Sequence, residues 1–254
     1  MINVTNNLPP TIIYENEAVV LIDKPYGQLV HEDWTSGVEG TVVEWFLNRY
    51  PDSRGVGEES LKPDGEPLER SGVVHRLDRE TSGIMIMAKT KEAHAFLKAQ
   101  FHDRLVKKDY RALVYGLIHD RYGTINRPIG RSTADFKKRT ARPVAKKGVE
   151  REAVTHFERI GSGEYQGETF SYLKLLPKTG RTHQLRVHLE AIDRPIVGDA
   201  LYAEKYMKKS NNLELKRLAL HAHALEITLP NGERERFLAP LPSDLEQAAE
   251  RIAE

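Results

Sequence analysis

The stretch His75-Arg76-Leu77-Asp78-Arg79-Glu80-Thr81-Ser82-Gly83 sets one carboxylate between two guanidinium groups, in a polar loop that runs into the apolar residues 84–88. An Asp beside arginines is held ionised, and an ionised carboxylate on a rigid loop can act as a nucleophile or a base. The plainer reading is a structural Asp that satisfies loop amides. A second stretch, Lys178-Thr179-Gly180-Arg181-Thr182-His183-Gln184-Leu185-Arg186-Val187-His188, joins a strand end, a glycine turn, a helix start and several cations. Such a place suits phosphates or a carboxylate. Arg186 flanks the face formed by Leu185 and Leu189, so partial burial and an anionic partner are expected. Asp78 is one candidate and Glu190, at i+4, is another, the latter worth only a few tenths of a kcal/mol. The third feature is Lys107-Lys108-Asp109-Tyr110-Arg111. An aromatic opening a strand among cations can stack on a nucleobase while lysines hold phosphate; core packing of Tyr110 explains it equally well.

These residues need elements to hold them. Residues 19–23 read as a short strand stopped by Lys24-Pro25, and 40–50 as a short helix. Residues 84–88 read as a buried strand. Residues 91–101 read as a helix with Ala93, Leu97 and Phe101 at four-residue spacing, Phe96 beside them, and Thr90 as N-cap. Strands are expected over 110–118, 170–176 and 218–229. A helix is expected over 182–192 with Leu185, Leu189 and Ile192 on one face. Segment 51–70, with its prolines and glycines, reads as a surface loop, and the basic segment 130–151 as a mobile loop or irregular hairpin. Strands outnumber helices without βαβ alternation and without a glycine-rich phosphate loop. The expected class is therefore α+β, a mixed, mainly antiparallel central sheet flanked by helices and loops.

The 254 residues suit one large domain or two small ones. With no cysteine, disulfides, thiolate metal sites and a cysteine nucleophile are excluded. The longest apolar runs, 18–22 and 84–88, fall far short of the roughly 20 residues that span a bilayer, and the N-terminus lacks a secretory pattern, so no membrane partner and a cytoplasmic location are expected. His183 and His188 are five residues apart and do not share a helix face. His221 and His223 share a strand face without an evident third ligand, so no metal is expected. The formal net charge of +1 hides an asymmetry: residues 1–70 carry 5 basic and 13 acidic side chains, whereas residues 98–151 carry 15 and 5. A segment of net +10 can make a local field that attracts a phosphate backbone, though a solvated basic face would look the same.

Three blocks in order resemble the RluA-type pseudouridine synthases: Asp23-Lys24-Pro25-Tyr26-Gly27 with His31; His75-Arg76-Leu77-Asp78 with Thr81-Ser82-Gly83; and Thr179-Gly180-Arg181-Thr182-His183-Gln184-Leu185-Arg186 with His188. The Lys108-x-Tyr110 element, Gly198-Asp199 with Leu201-Tyr202, and Leu220-His221-Ala222 are similar to the family too, so the likeness spans roughly residues 12–240. It implies a single catalytic domain over residues 1–254, expected to be a monomer, that isomerises specific uridines of ribosomal or transfer RNA, with no cofactor. It implies Asp78 as the catalytic carboxylate, Tyr110 stacked on the target base, and Arg186 paired with Asp78. Arg76 would fill or brace the space left by a flipped nucleotide, and His75, Lys107, Lys108, Arg181, His183 and Gln184 would join it at the RNA. Many relatives carry an N-terminal S4 domain; here the likeness begins near Ile12, so RNA recognition is expected of the catalytic domain. Asp78 could attack the base, attack the sugar C1′, or take a C2′ proton. Two other functions stay open on the residues alone: an RNA-binding or folding factor that does not rely on catalysis, and a phosphodiester or glycosidic hydrolase using Asp78.

Overall fold

Apolar runs become strands here, and the best helices begin where a hydroxyl can cap them. The computed structural model of the chain describes residues 8–32, 39–62, 64–133, 135, 138–142 and 146–253. In chain order the elements begin with β1 (Thr11–Glu15) and β2 (Val19–Lys24), followed by α1 (Val42–Arg49), β3 (Ser82–Ala88) and α2 (Lys91–His102). Then come β4 (Lys107–Tyr115), β5 (Tyr122–Asn126), β6 (Ile129–Ser132), β7 (Arg139–Thr140), β8 (Lys146–Arg151), β9 (Val154–Tyr165) and β10 (Glu168–Pro177). The chain ends with α3 (Gln184–Glu190), α4 (Glu204–Met207), β11 (Leu220–Thr228), β12 (Arg234–Leu238) and α5 (Ser243–Glu250). They fall into two compact units: residues 1–107 with 222–240, and residues 108–221 with 241–254.

In the first unit β1, β2, β3 and β11 lie side by side, and β12 also pairs with β11. β2 and β3 are antiparallel, with Leu21 opposite Ile86. All seven residues of β3 are buried, as an apolar strand covered on both faces must be. Two sequence blocks meet here. A Cβ on Gly83, at φ +116°, would stand 2.3 Å from the Ala222 carbonyl oxygen, so only glycine lets β3 run this close to β11. Helix α1 is nucleated by a capping box. Thr41 Oγ1 accepts from the Glu44 amide at 3.1 Å and Glu44 Oε2 accepts from the Thr41 amide at 3.1 Å. Thr90 caps α2 by accepting from the Ala93 amide at 3.2 Å. The buried face of α2 is Ala93, His94, Leu97 and Gln100, rotated from the face through Phe101 that the apolar spacing suggests, and Phe96 is 40% exposed. The rotation has a polar cause: the Gln100 amide pairs with the backbone of Thr228 at the end of β11, donating at 2.7 Å and accepting at 3.1 Å.

In the second unit β4, β10, β9 and β5 follow one another, all antiparallel. β4 begins three residues earlier than expected and stops at Tyr115, where Gly116 turns away at φ +80°. Of the mobile loop or irregular hairpin expected for the basic segment 130–151, the described strands favour the hairpin. Its strands β6, β7 and β8 form a small antiparallel sheet in the order β7-β6-β8. β6 starts at the buried Ile129, and Ala141 is buried in the same apolar cluster. Helix α3 starts two residues later than expected and ends at Glu190. His183, in the left-handed region at φ 55°, delays it. Six consecutive residues, Gln184 to Leu189, are buried, so α3 is sunk on all sides rather than amphipathic, and its polar residues must find partners inside. The mostly antiparallel arrangement agrees with the expected fold class.

Candidate active site

The Asp78 loop belongs to the first unit. Leu77, 6% exposed, plugs the loop into the core, while Arg76 is exposed and Asp78 is half-buried. A turn carries Asp78: its carbonyl accepts from the Thr81 amide at 3.1 Å. The turn is gripped from the Lys24–Gln28 segment. The Arg79 carbonyl accepts from the Gly27 amide at 2.8 Å, and Arg79 Nε donates to the Gly27 carbonyl at 3.0 Å. The Lys24 ammonium, wholly buried, donates to the carbonyls of Pro25 (2.9 Å), Gln28 (2.9 Å) and Arg79 (3.2 Å). A buried ammonium is tolerated only when its donors are satisfied, so Lys24 is a positioning residue that fixes the loop's backbone. The strand-stop reading of Lys24-Pro25 did not foresee this. His75 is braced too: Nε2 accepts from the Ile86 amide at 3.0 Å, and the ring stacks on Phe101 at 4.5 Å.

Tyr110, Lys108 and the α3 turn belong to the second unit. Tyr110 lies opposite Leu175 of β10 and packs, partly buried, against the core. Its neighbours Asp109 and Arg111 form an ion pair with each other. The two lysines differ. Lys107 is exposed and donates to Glu226 at 2.9 Å, a carboxylate that also accepts from Arg234 at 2.8 Å. Lys108 is largely buried, and strand alternation puts it on the face of Tyr110. Its Nζ lies 3.6 Å from where a Cβ on Gly180 would stand. Among the described residues no carboxylate pairs with it, and burial pushes its pKa down to about 8.

The α3 turn is held by Gln184, whose side-chain oxygen accepts from Thr179 Oγ1 (2.7 Å) and the Arg181 amide (3.1 Å). Its Nε2 donates to the Val154 carbonyl and to Thr155 Oγ1, both at 3.0 Å. The sequence reading sets Gln184 at the RNA; its buried amide is engaged on every side, and we assign it to bracing the turn. Arg181 Nε donates to the Glu152 carbonyl at 3.0 Å, and the His183 ring meets the Tyr202 hydroxyl at 2.9 Å.

Arg186 is buried, and the structure supplies an anion the sequence reading missed. Asp199 takes Nε and Nη2 at 2.8 Å each, in the forked geometry that favours arginine. Asp199 Oδ1 also accepts from the amides of Leu201 and Tyr202 at 3.0 and 3.1 Å, and the Tyr202 ring lies 5.2 Å from the guanidinium. Gly198 just before it has φ +74°, and a Cβ there would sit 2.0 Å from the Arg217 carbonyl oxygen. Glu190, the alternative partner, is taken by Arg142 at 2.9 Å.

His188 is fully buried, with Nδ1 2.9 Å from Thr155 Oγ1 and Nε2 2.9 Å from the Arg127 carbonyl. A carbonyl can only accept, so Nε2 carries the proton and Nδ1 accepts from the Thr155 hydroxyl. Burial holds its pKa below the ordinary histidine value. The unfolded chain therefore takes up the proton first as pH falls, and stability is lost below about pH 6.5. Thermal melts of the wild type and His188→Gln at pH 7 and pH 5 check this. The wild type is expected to lose more stability on acidification; equal losses would remove His188 as the cause.

The first unit thus presents a half-buried carboxylate on a clamped turn, and the second unit a half-buried tyrosine on the strand face that also carries Lys108. A family model described as RNA pseudouridylate synthase matches residues 18–191. An uncharacterized RNA pseudouridine synthase of Synechocystis sp. is 39% identical over 248 residues, covering 96% of this chain and 69% of the relative. The ribosomal large subunit pseudouridine synthase D of Pseudomonas aeruginosa is 37% identical over 242 residues, covering 92% and 68%. Among solved structures, human RNA pseudouridylate synthase domain containing 1 superposes with a TM-score of 0.73 at 26% identity, over 93% of this chain and 85% of that one. The class is thus that of isomerases acting on RNA. The chain belongs to the RNA pseudouridylate synthase family.

Proposed function

We propose that the chain converts uridines of ribosomal RNA to pseudouridine, with Asp78 as the reacting carboxylate. The observation that carries this reading is the Asp78 turn, half-exposed and gripped at its backbone by Lys24, Gly27 and Arg79. Catalysis needs a reactive group held in fixed geometry. Ribosomal RNA is preferred over transfer RNA because the relative from Pseudomonas aeruginosa is named for the ribosomal large subunit; the cytoplasm is the matching compartment. The reaction breaks the N1–C1′ bond, turns the base and joins C5 to C1′; C5 gives up its proton and N1 takes one up. Tyr110 stacks on the flipped base, which offsets part of the few kcal/mol that flipping costs, and relays the C5 proton. Arg186 is kept as a residue of the reaction, its guanidinium oriented by Asp199. Arg76, Arg181 and His183 contact the strand, and His75 orients Arg76. The test is chromatography of nucleosides from RNA of cells lacking the protein, after incubation with it. Pseudouridine is expected in intact RNA; free uracil or strand scission would indicate a hydrolase instead.

Lys108 is the stronger phosphate ligand of the pair Lys107 and Lys108, since it is largely desolvated and no carboxylate among the described residues pairs with it. Lys108→Met is therefore expected to weaken RNA binding while raising stability at pH 7, by at most about 3 kcal/mol. With its folded pKa lowered to about 8, the penalty is complete below pH 8. It fades as the folded protein sheds the proton between pH 8 and the ordinary lysine value. Urea melts at pH 7 and pH 10 check this: the variant's advantage should shrink at the higher pH. A variant less stable than wild type at pH 7 would contradict it.

A further inference from the structure

Beside the Asp78 loop, the first unit contains a cavity of about 250 Å³ lined by Glu58, Ser60, Arg70, Val73, Val74, His75, Arg76, His94 and Lys98. We propose that this cavity holds one phosphodiester of the RNA strand, gripped by Arg70 and Arg76, next to the nucleotide presented to Asp78. The inference rests on the uridine-isomerase reading and adds to it a backbone-binding site whose central residue, Arg70, no motif singles out.

The charges make the case. Lys98 is paired with Glu58, so those two lining charges offset each other. Arg70 and Arg76 have no carboxylate partner among the described residues, and they share the cavity. Burial first, and the neighbouring Arg76 second, hold the Arg70 pKa below the ordinary arginine value, outweighing the opposing pull of Glu58, which lines the same cavity but is ion-paired with Lys98. Two unpaired guanidinium groups in one concavity are a cost in the free protein, and an anion between them removes it. The histidines add no charge of opposite sign: His94 Nε2 lies 3.2 Å from the Val73 carbonyl, to which it can only donate, and His75 Nε2 accepts from Ile86. The cavity lies below the usual 300–1,000 Å³ of small-molecule pockets, and its guanidinium forks suit the oxygens of a phosphate.

The site is rigidly tied to the reacting carboxylate. Its floor is pinned to β3: Val73 bridges Met87, and the Gly72 carbonyl accepts from the Ala88 amide at 2.9 Å. From Arg76 to Asp78 is two residues, at most about 7 Å of backbone. A phosphate seated on Arg76 therefore sets the reach of the strand to Asp78.

The test compares Arg70→Gln with Arg54→Gln, whose guanidinium lies on Glu69 at 2.9 Å, outside the cavity in the same unit. Ribosomal RNA from cells lacking the protein is titrated at several salt concentrations. Arg70→Gln is expected to weaken binding about tenfold, to lower the salt slope by about 0.7, and to raise KM more than it lowers kcat. Its melting temperature should equal or exceed the wild type's, because no ion pair is lost. Arg54→Gln should match wild type in affinity and slope. Arg70→Lys keeps the charge and guards against a folding defect: it should retain the salt slope. An unchanged affinity and slope in Arg70→Gln would overturn the proposal. So would stabilisation of the wild type, but not Arg70→Gln, by inorganic phosphate or UMP with RNA affinity equal in both, which would make the cavity a site for a free anion. A wild type that binds RNA with the expected slope but forms no pseudouridine would instead overturn the isomerase reading and leave the phosphate site standing.

Discussion

Asp199→Ala is expected to destabilise the protein by about 3–5 kcal/mol, the cost of breaking a buried ion pair by removing one partner. Arg186 is 4% exposed and Asp199 1%. Without the carboxylate, the guanidinium would remain in a site that has lost the acceptor of two of its N–H groups, and the amides of Leu201 and Tyr202 would lose theirs. Such a loss is a large share of the 5–15 kcal/mol that holds a protein folded. Asp199→Asn, which keeps the shape and part of the hydrogen bonding, should lose less. The double variant Asp199→Leu, Arg186→Met should recover stability over Asp199→Ala, since replacing both charges by apolar groups removes the stranded one. Urea unfolding of the four proteins measures this. A loss below about 1 kcal/mol in Asp199→Ala would show that Arg186 finds other partners at little cost. Through His183 and Tyr202, which contact each other at 2.9 Å, the same substitution should also disturb the turn before α3.

Asp78→Asn carries the second large effect. An amide of the same shape can neither attack carbon nor accept the proton as a carboxylate does, so turnover should fall by more than about 10³-fold. The turn is gripped through backbone atoms of Asp78 and Arg79 and through the Arg79 and Lys24 side chains, and asparagine keeps the shape of the aspartate. RNA affinity should therefore stay within a few-fold of wild type, which separates a lost reaction from a lost fold. The RNA-binding-factor reading predicts the reverse in cells, with function surviving the change.

What the sequence revealed follows from how locally each feature is encoded. β2, β3, α1 and α2 were legible because each has a dense apolar run or a capping hydroxyl within one turn of its start. The Asp78 loop was legible from its Asp between arginines. β9 was not: of its twelve residues only Thr155 is buried, so no alternation marks it. The depth of α3 was hidden because it depends on a neighbouring hydrogen-bond chain. Gln184 donates to Thr155, and Thr155 donates to His188, which lets polar residues sit where an amphipathic pattern would have apolar ones. The need of Arg186 for an anion was readable, but the supply of Asp199 was not. A loop acid is brought to Arg186 by the tight Gly198 turn, and spacing alone does not announce it. Lys24 looked like the end of a strand because its three acceptors are backbone carbonyls, which every residue has.

The most direct test of the central claim is tritium release from RNA labelled at uridine C5, taken from cells lacking the protein, with wild type and Asp78→Asn at equal occupancy. Release by wild type alone is the predicted result, because joining C5 to C1′ expels the C5 proton and Asp78 is the group that makes it happen. Equal release by both proteins would contradict the role of Asp78. Release by neither, with RNA bound, would contradict the isomerisation itself.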